Sequence, residues 1–158
     1  MFKEKQKFTQ YWLWLPLLIL LLAMSYNGTA GGTKWLSIPH IVGLIVYFVI
    51  LIFIYSLTLE IEISERGIKY SFFPFAGEKY IEWKQINSVK FIKYNSFEDF
   101  GGYGVRYNSK KNIEAYNVGG SYGILINQKL LLGIKNEVDF KLFLDNNSDI
   151  KSNFELIE

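Results

Sequence analysis

Two long stretches without a charged side chain restrict this sequence more than any other feature. No Asp, Glu, Lys or Arg occurs from Phe8 to Thr33, and from Trp35 to Leu59 only His40 could acquire a positive charge. Beyond Glu60, charged residues return every few positions. A chain of 158 residues has room for about one domain, which is too small to bury both stretches on every side. The pattern predicts a lipid-facing part followed by a water-facing part.

The two apolar runs have the lengths of membrane-spanning helices. Phe8–Tyr26 contains 19 residues, which as a helix extend over about 28 Å, close to the roughly 30 Å of a hydrocarbon core. The second run, Ile41–Leu59, has the same length. We place the spans at about residues 8–26 and 39–57, and predict that residues 1–57 form a two-helix transmembrane hairpin.

The short connection between the runs determines the predicted topology. Asn27–Ser37 is rich in Gly, Asn and Thr, which is typical of an exposed loop, so both ends of the hairpin would lie on one side of the membrane. The basic residues that bear on the orientation are Lys3, Lys5 and Lys7 before the first span, Lys34 in the loop, and Arg66 and Lys69 after the second span. By the positive-inside rule they predict a multi-pass protein of the cell (inner) membrane with cytoplasmic N- and C-termini. In the alternative, a signal peptide of about residues 1–30 is cleaved and one span is left.

Charge and cysteine content exclude several functions for the water-facing part. Residues 60–158 contain 13 Lys or Arg and 14 Asp or Glu, so this part lacks the basic surface that a nucleic acid requires. The chain contains no cysteine, which excludes disulfides and thiolate metal sites. With one histidine and no carboxylate cluster of suitable spacing, we expect no metal and no other cofactor.

Beyond the second span, the apolar residues follow a period of two. Leu59, Ile61 and Ile63 alternate with polar neighbours, which predicts a half-buried strand. Further short segments separated by turn residues bring the number of predicted strands to seven or eight. The segments are 59–63, 68–75, 78–83, 89–94, 105–107, 113–118, 122–127 and 130–135. This spacing is typical of a small barrel or sandwich, so we predict an α+β membrane protein.

One helix is predicted after the strands. Asn136 can cap it, with Glu137 in the first turn and Asp139 three residues after the cap. We expect the helix to end near Asp145–Asn147 and to cover an open end of the barrel. Residues 147–158 are a polar tail to which the pattern assigns no structure.

Several segments resemble the bacterial membrane-associated PH-like (pleckstrin-homology-like) domains, a family of unknown function. The segments are Ile81–Ile86, Gly101–Arg106, Ala115–Asn117 and Leu131–Ile134. The resemblance covers about residues 58–145, and it departs from the family at Gly133-Ile134, where members commonly have Gly-Thr. It implies a PH-like β-barrel or sandwich of about seven strands with a C-terminal capping helix, over residues 58–146, often preceded by one or two membrane helices.

The resemblance implies a fold and not a task. Eukaryotic domains of this shape often bind phosphoinositide headgroups through basic residues of the first strand–strand loop. The corresponding loop here, Ser64–Lys69, contains only Arg66 and Lys69, offset by Glu65. Headgroup binding is therefore not carried over to this chain.

Few side chains suggest chemistry of their own. We interpret His40 as an interfacial polar residue and Glu98-Asp99 as part of a solvated turn. Glycines at 101, 102 and 104 and at 119, 120 and 123 do not fit a phosphate-binding loop, so we assign them to turns and bulges. No serine has a base nearby in the sequence, and we predict no catalytic residue and no enzymatic activity.

One group of basic residues could face anionic lipid. Arg106, Lys110 and Lys111 form the densest basic group in the chain, and basic residues near an anionic surface attract it; the other interpretation is ordinary solubility charges on a hairpin. Aromatic residues such as Phe72, Phe73 and Phe75 fit a core or membrane-proximal packing.

The predicted function is a membrane-tethered PH-like interaction or scaffold domain without enzymatic activity. Its expected partners are the lipid bilayer and a protein at the membrane, and no nucleic acid. An anionic-lipid or small-ligand binding domain at the membrane surface is the alternative. A weaker third hypothesis is a subunit of a transporter or enzyme whose chemistry lies in a partner chain.

Overall fold

The computed structural model describes residues 1–29 and 37–156. The chain divides into two compact units: a helical unit, Phe8–Ser56, and a β unit that combines Met1–Lys7 with Leu57–Glu158. Over the described ranges the chain contains five α-helices and two β-sheets. The predicted α+β class is confirmed.

The helical unit contains two apolar helices, α1 (Tyr11–Thr29) and α2 (Ile38–Ser56). α2 is long and apolar enough to cross a membrane, with a mean hydropathy of 2.5. The apolar part of α1, Tyr11–Tyr26, is shorter than that requirement. Among residues 1–29 and 37–156, one helix therefore meets the criteria for a span, so the two-span hairpin stays a prediction. Most of the predicted loop, Asn27–Ser37, lies outside the described residues.

The first sheet has four antiparallel strands in the order β1–β2–β3–β4. They are β1 (Phe2–Lys7), β2 (Thr58–Ser64), β3 (Gly67–Phe73) and β4 (Ala76–Glu82). On β2 the side chains of Leu59, Ile61 and Ile63 are fully buried, whereas Glu60 and Glu62 are partly exposed. The period of two in this segment therefore predicts the strand and its buried face correctly.

The second sheet has six strands in the order β10–β5–β8–β9–β7–β6. They are β5 (Val89–Lys93), β6 (Gly104–Asn108), β7 (Ile113–Asn117), β8 (Tyr122–Ile126), β9 (Leu130–Ile134) and β10 (Phe154–Leu156). The pairs β7–β9 and β10–β5 are parallel and the others are antiparallel. The ring of Tyr116 on β7 lies 5.4 Å from that of Tyr70 and 6.2 Å from that of Phe72 on β3, so the two sheets share one core.

The helix predicted after the strands is α4 (Glu137–Asp145). The Asn136 side chain accepts a hydrogen bond from the backbone N–H of Asp139, as the sequence predicts. Phe140 is fully buried, and its ring contacts those of Phe2 and Phe91. α4 is thereby packed onto both the N-terminal strand and β5.

The structure differs from the predicted fold in three respects. A barrel or sandwich of about seven strands is predicted, whereas over the described residues ten strands form two sheets, one of four and one of six, and no closed barrel. Residues 1–7 form a strand of the β unit instead of a flank of the hairpin. Residues 147–158 include α5 (Ser148–Lys151) and β10, because buried Ile150 and Phe154 attach this segment to the core.

Candidate functional site

The candidate site is the end of the first sheet at which the chain leaves for the helical unit and returns from it. Lys7, the last residue of β1, pairs with Thr58, the first residue of β2. Only Leu57 separates α2 from β2, and three residues separate β1 from α1. Directly opposite residues of antiparallel strands have Cα atoms about 4.5–5.5 Å apart. The two connections to the helices therefore leave the β unit side by side.

Two polar residues on the inner face of β1 attach this strand to distant parts of the β unit. The Gln6 side-chain amide donates to the carbonyl oxygen of Gly133 at 2.6 Å, and Gln6 is 1% exposed. The Glu4 carboxylate accepts from the backbone N–H of Asn136 at 2.9 Å and of Lys135 at 3.2 Å. Burial raises the pKa of Glu4, and these hydrogen bonds oppose the shift because they stabilise the ionised form.

Ion pairs between neighbouring strands cover the outer face of the first sheet. The pairs are Lys3–Glu62, Lys5–Glu60 and Lys69–Glu78, at 3.8, 2.5 and 2.9 Å. The hydrogen bond from Lys5 lowers the pKa of Glu60. Because water reaches both members of each pair, solvent screens the attraction, and the pairs contribute little to stability. The face is solvated and its charges are mostly matched.

The turn between β3 and β4 adjoins the connections to the helices. We call Phe73–Phe75 the aromatic tip. Phe73 pairs with Thr58 across β2 and β3, so the tip lies at the end of the sheet where the chain returns from α2. Phe73 is 60% exposed and Phe75 is 63% exposed, and the Phe73–Pro74 peptide bond is cis. Two large aromatic side chains thus project from the β unit at this end.

The opposite end of the same sheet has a different character. There the turn between β2 and β3 contains Glu65 and Arg66, both exposed. The strands between the two turns are seven residues long, which separates the ends by about 20 Å. The far end therefore combines a charged turn with Tyr80, which is 48% exposed beside it, whereas at the end next to the helical connections the turn itself exposes two phenylalanines.

Within the helical unit, one buried polar contact joins α1 and α2. The Tyr47 hydroxyl donates to the carbonyl oxygen of Leu17 at 3.0 Å, and Tyr47 is 5% exposed. Gly43 lies next to Met24, since a Cβ at position 43 would be 3.1 Å from the Met24 terminal methyl. Small residues and hydroxyl-to-backbone bonds of this kind are common between helices in lipid. Most other large apolar side chains of both helices are exposed.

A cavity of about 460 Å³ adjoins the short helix α3 (Ser96–Phe100). Its lining includes Lys93, Tyr94 and Tyr103. Tyr94 is buried, and burial raises its pKa to about 12 against the smaller opposing effect of the Ser96 hydroxyl. The lining combines polar and aromatic groups without a catalytic arrangement, and none of the residues that the structure describes forms a group of three or more His, Cys, Asp or Glu that could hold a metal.

The predicted basic edge lies on the hairpin formed by β6 and β7. The Arg106 guanidinium donates to the carbonyl oxygen of Tyr103 at 2.9 Å. Lys111 lies 2.8 Å from the Asp99 carboxylate, and this contact lowers the pKa of Asp99. Lys110 is exposed in the turn. The hairpin brings Arg106, Lys110 and Lys111 together on one element, and two of them already have protein partners.

The remaining residues singled out from the sequence have structural surroundings. His40 is buried in the first turn of α2. Glu98 and Asp99 lie in the first turn of α3, whose cap is the Asn95 side chain, instead of forming a solvated turn. Gly101, Gly102, Gly104 and Gly120 have positive φ, as the turn assignment requires, whereas Gly123 does not. At Gly123 a Cβ would lie 2.9 Å from the Leu132 carbonyl oxygen, so close packing of strands explains this glycine.

The residues that form the candidate site do not stand out in the sequence pattern. Glu4 and Gln6 stand in a polar segment that reads as a charged flank of a membrane helix. The aromatic tip could have been recognised from the Phe-Phe-Pro-Phe run, because a proline between aromatic residues at the end of a strand indicates a turn that exposes them.

Comparisons with known proteins do not assign this chain to a family. No protein-family model matches the chain, no curated protein matches it, and no solved structure matches it.

Proposed function

We propose that this chain is a membrane-tethered, non-enzymatic interaction or scaffold protein whose PH-like β unit is held at the bilayer by a two-helix hairpin. The observation that carries the proposal is the pairing of β1 with β2, two strands that the whole helical unit separates in the sequence. The bilayer is the first partner, and a protein confined to the same membrane is the second.

The strand pairing limits the number of membrane crossings. Because Lys7 and Thr58 are neighbours in one sheet, they lie on the same side of any membrane, and the chain between them crosses an even number of times. If α2 is one crossing, the other falls between residues 8 and 37. α1 is the apolar helix in that interval, and its 19 residues extend over about 28 Å. The pairing thus supports a hairpin even though the apolar part of α1 is short.

The same pairing bears on the alternative of a cleaved signal peptide. Cleavage near residue 30 would remove β1 and leave the Gly133 carbonyl and the start of α4 without their Gln6 and Glu4 partners. An unpaired buried carbonyl costs about 1–3 kcal/mol. Retention of the N-terminal segment is therefore part of the proposal.

The orientation follows from the distribution of Lys and Arg. Lys3, Lys5 and Lys7 precede α1, and the connection between the helices contains Lys34. Positive residues beside membrane helices favour the cytoplasmic side. The proposal therefore places both termini and the β unit in the cytoplasm.

Confinement and an accessible strand edge support an interaction role. A domain tethered to the bilayer meets membrane-bound partners at a raised effective concentration. β6 is a terminal strand of the second sheet, with Val105 36% and Tyr107 63% exposed. Strands at the end of a sheet can pair with an extended segment of a partner. We propose β6 as the place where a protein partner binds.

Single cysteines test the membrane topology, because the chain has none of its own. Lys3→Cys, Thr33→Cys and Lys110→Cys would be probed in intact cells with a membrane-impermeant maleimide, before and after permeabilisation. We expect position 33 to react in intact cells and positions 3 and 110 to react only after permeabilisation. Reaction of positions 3 and 110 from opposite sides, or recovery of the full chain in the supernatant without detergent, would overturn the hairpin.

A photo-crosslinking residue at Tyr107 tests the interaction role in intact membranes. We expect a discrete protein adduct that disappears when Val105→Pro prevents further pairing along β6. Ile124, which is fully buried, is the matched control position and should give no adduct. The absence of any adduct at position 107, together with turnover of a substrate by the purified chain, would contradict the proposal.

Anionic-lipid binding by the basic edge is a second candidate, because one hairpin carries Arg106, Lys110 and Lys111. It is weaker, because Lys111 is paired with Asp99. Native mass spectrometry of the chain extracted with bound lipid separates the two candidates. Loss of anionic lipid from a variant with all three residues changed to alanine would favour lipid binding, and unchanged lipid content would remove it.

A further inference from the structure

The two ends of the first sheet expose different kinds of side chain, and a membrane tether alone does not require that difference. The end next to the helical connections bears the aromatic tip, whose Phe73 and Phe75 are 60% and 63% exposed. The turn at the far end bears Glu65 and Arg66, and the exposed aromatic residue beside it, Tyr80, is a tyrosine whose hydroxyl adjoins Gly67. Exposed aromatic side chains grouped at one end of a domain indicate a surface that contacts something other than water.

Chain connectivity gives the distance from the tip to the bilayer. Phe73 pairs with Thr58, and a single residue, Leu57, separates Thr58 from the end of α2. If α2 ends at the membrane interface, Thr58 lies within about two residues of that interface. Phe73 is on the neighbouring strand, about 5 Å from Thr58. This short connection keeps the aromatic tip close enough to the bilayer for contact with the headgroup layer.

We propose that the aromatic tip inserts into the interfacial layer of the bilayer and fixes the tilt of the β unit. The proposal rests on the membrane-spanning helices proposed above. The two helical connections leave one end of the β unit side by side, so a third contact at the neighbouring hairpin would restrict rotation of the β unit about them. Aromatic rings partition into the interface in zwitterionic and anionic bilayers alike, so the tip differs from the basic edge in needing no lipid charge.

The residues of the tip fit insertion into the interface, and the core of the β unit does not require them to be aromatic. Phe72, one position before Phe73, is fully buried and packs against Tyr116. Phe72 therefore already supplies an aromatic side chain from the end of β3 to the core of the β unit. Phe75 contacts the edge of this core through Phe72, with ring centroids 6.2 Å apart, but most of its surface faces outward. Pro74 between the two phenylalanines is exposed as well.

The test measures the depth of the tip in vesicles that contain the full chain. Phe75→Cys and Glu65→Cys would each be labelled with an environment-sensitive dye and reconstituted in phosphatidylcholine vesicles. We expect the dye at position 75 to show a blue-shifted emission, loss of quenching by aqueous iodide and gain of quenching by a headgroup-attached spin label. The dye at position 65 should remain fully quenched by iodide. The same pattern is expected with phosphatidylglycerol added.

A second set of variants keeps the label outside the tip. Gly77 has open space around it, so a dye on Gly77→Cys reports on the tip while Phe73 and Phe75 stay intact. Changing both phenylalanines to serine should restore iodide quenching at position 77. Phe97→Ser, which changes an aromatic residue of similar exposure on α3, should leave quenching unchanged.

The outcomes separate this proposal from the one on which it rests. Flotation of the vesicles after carbonate extraction reports membrane integration independently of the dye. A chain that does not float overturns both proposals. A chain that floats with the dye at position 75 open to iodide overturns only the insertion of the tip. A dye protected from iodide but not quenched by the lipid spin label also overturns it, because protein instead of lipid then covers the tip.

Discussion

β1 and β2 are neighbours in one sheet, yet different forces hold them there. The inner face of β2 consists of Leu59, Ile61 and Ile63, which are all fully buried. The inner face of β1 presents Glu4 and Gln6 beside Phe2. The Gln6 amide donates to the carbonyl oxygen of Gly133, and the Glu4 carboxylate accepts from the backbone N–H of Asn136. One strand is stabilised by hydrocarbon burial and the other mainly by hydrogen bonds to particular partners.

The two strands therefore depend on different parts of the chain. Burial of aliphatic side chains is non-directional, so β2 gains stability in any compact arrangement that covers one face. Glu4 and Gln6 gain stability only when β9 and the start of α4 are already in place. The hydrogen bonds of β1 therefore depend on the folded arrangement of β9 and the start of α4, and the pairing of β1 with β2 places the two helical connections side by side.

Replacing a core residue of β2 should have the largest effect. Ile61→Ala removes a fully buried side chain and should lower the free energy of unfolding by about 2–5 kcal/mol. Pulse proteolysis of the full chain in detergent micelles across a urea series measures the change. Glu62→Ala on the outer face is the control and should stay within about 0.5 kcal/mol. An equal loss in both variants would show that β2 is not held by burial.

Removing the buried amide of β1 should have an intermediate effect. Gln6→Leu keeps the volume but leaves the Gly133 carbonyl oxygen without its 2.6 Å donor, which should cost about 1–3 kcal/mol. The same urea series measures it, and hydrogen exchange at residues 2–7 should increase more than exchange at residues 58–64. Unchanged stability in Gln6→Leu would mean that the strand ladder alone holds β1.

Glu4 should give β1 a dependence on pH that is opposite in direction to the one that Glu60 gives β2. Its pKa in the folded protein is raised above the ordinary value of 4.5, so the folded state binds the proton more tightly than the unfolded chain. The contribution of Glu4 is then fully present below pH 4.5 and is lost as the pH rises through the folded pKa.

The difference between wild type and Glu4→Gln isolates this contribution. Glu60 and Asp99 have lowered pKa values and change stability in the opposite direction, but they are present in both proteins. We expect the stability of wild type relative to Glu4→Gln to fall with rising pH. A relative stability that rises with pH would show that the hydrogen bonds from Lys135 and Asn136 outweigh the effect of burial.

An outer-face ion pair should matter least. Lys5→Ala breaks the 2.5 Å contact with Glu60, but both side chains are substantially exposed, so the loss should be below about 1 kcal/mol and should shrink further in high salt. Urea midpoints at low and high salt measure it. A loss as large as that of Gln6→Leu would mean that β1 is held through its outer face.

Part of the fold was readable from local pattern. Alternation at Leu59, Ile61 and Ile63 predicts β2 and its buried face, and Asn136 with Asp139 predicts the start of α4. These signals are readable because each depends on residues within one turn or a few strand positions. The five residues of α3 escaped prediction because a single turn has no periodicity, although Asn95 and Gly101 mark its two ends.

Other elements could not be predicted because their partners lie far away in the sequence. β10 is a three-residue strand that pairs in parallel with β5, and three residues do not establish a period. The candidate site depends on the register that places Lys7, Thr58 and Phe73 in one row. No local pattern encodes that row, because it joins segments separated by the whole helical unit.

The linear order of residues is enough to locate the concentrated apolar surface: the two uncharged runs, the buried face of β2 and the apolar side of α4. Hydrophobic burial depends on composition and spacing, which a linear sequence displays directly. Only the tertiary structure decided that residues 1–7 belong to the β unit and that the aromatic tip stands beside the helical connections. Hydrogen bonds and strand register are directional, and they acquire their partners only when distant segments of the chain meet.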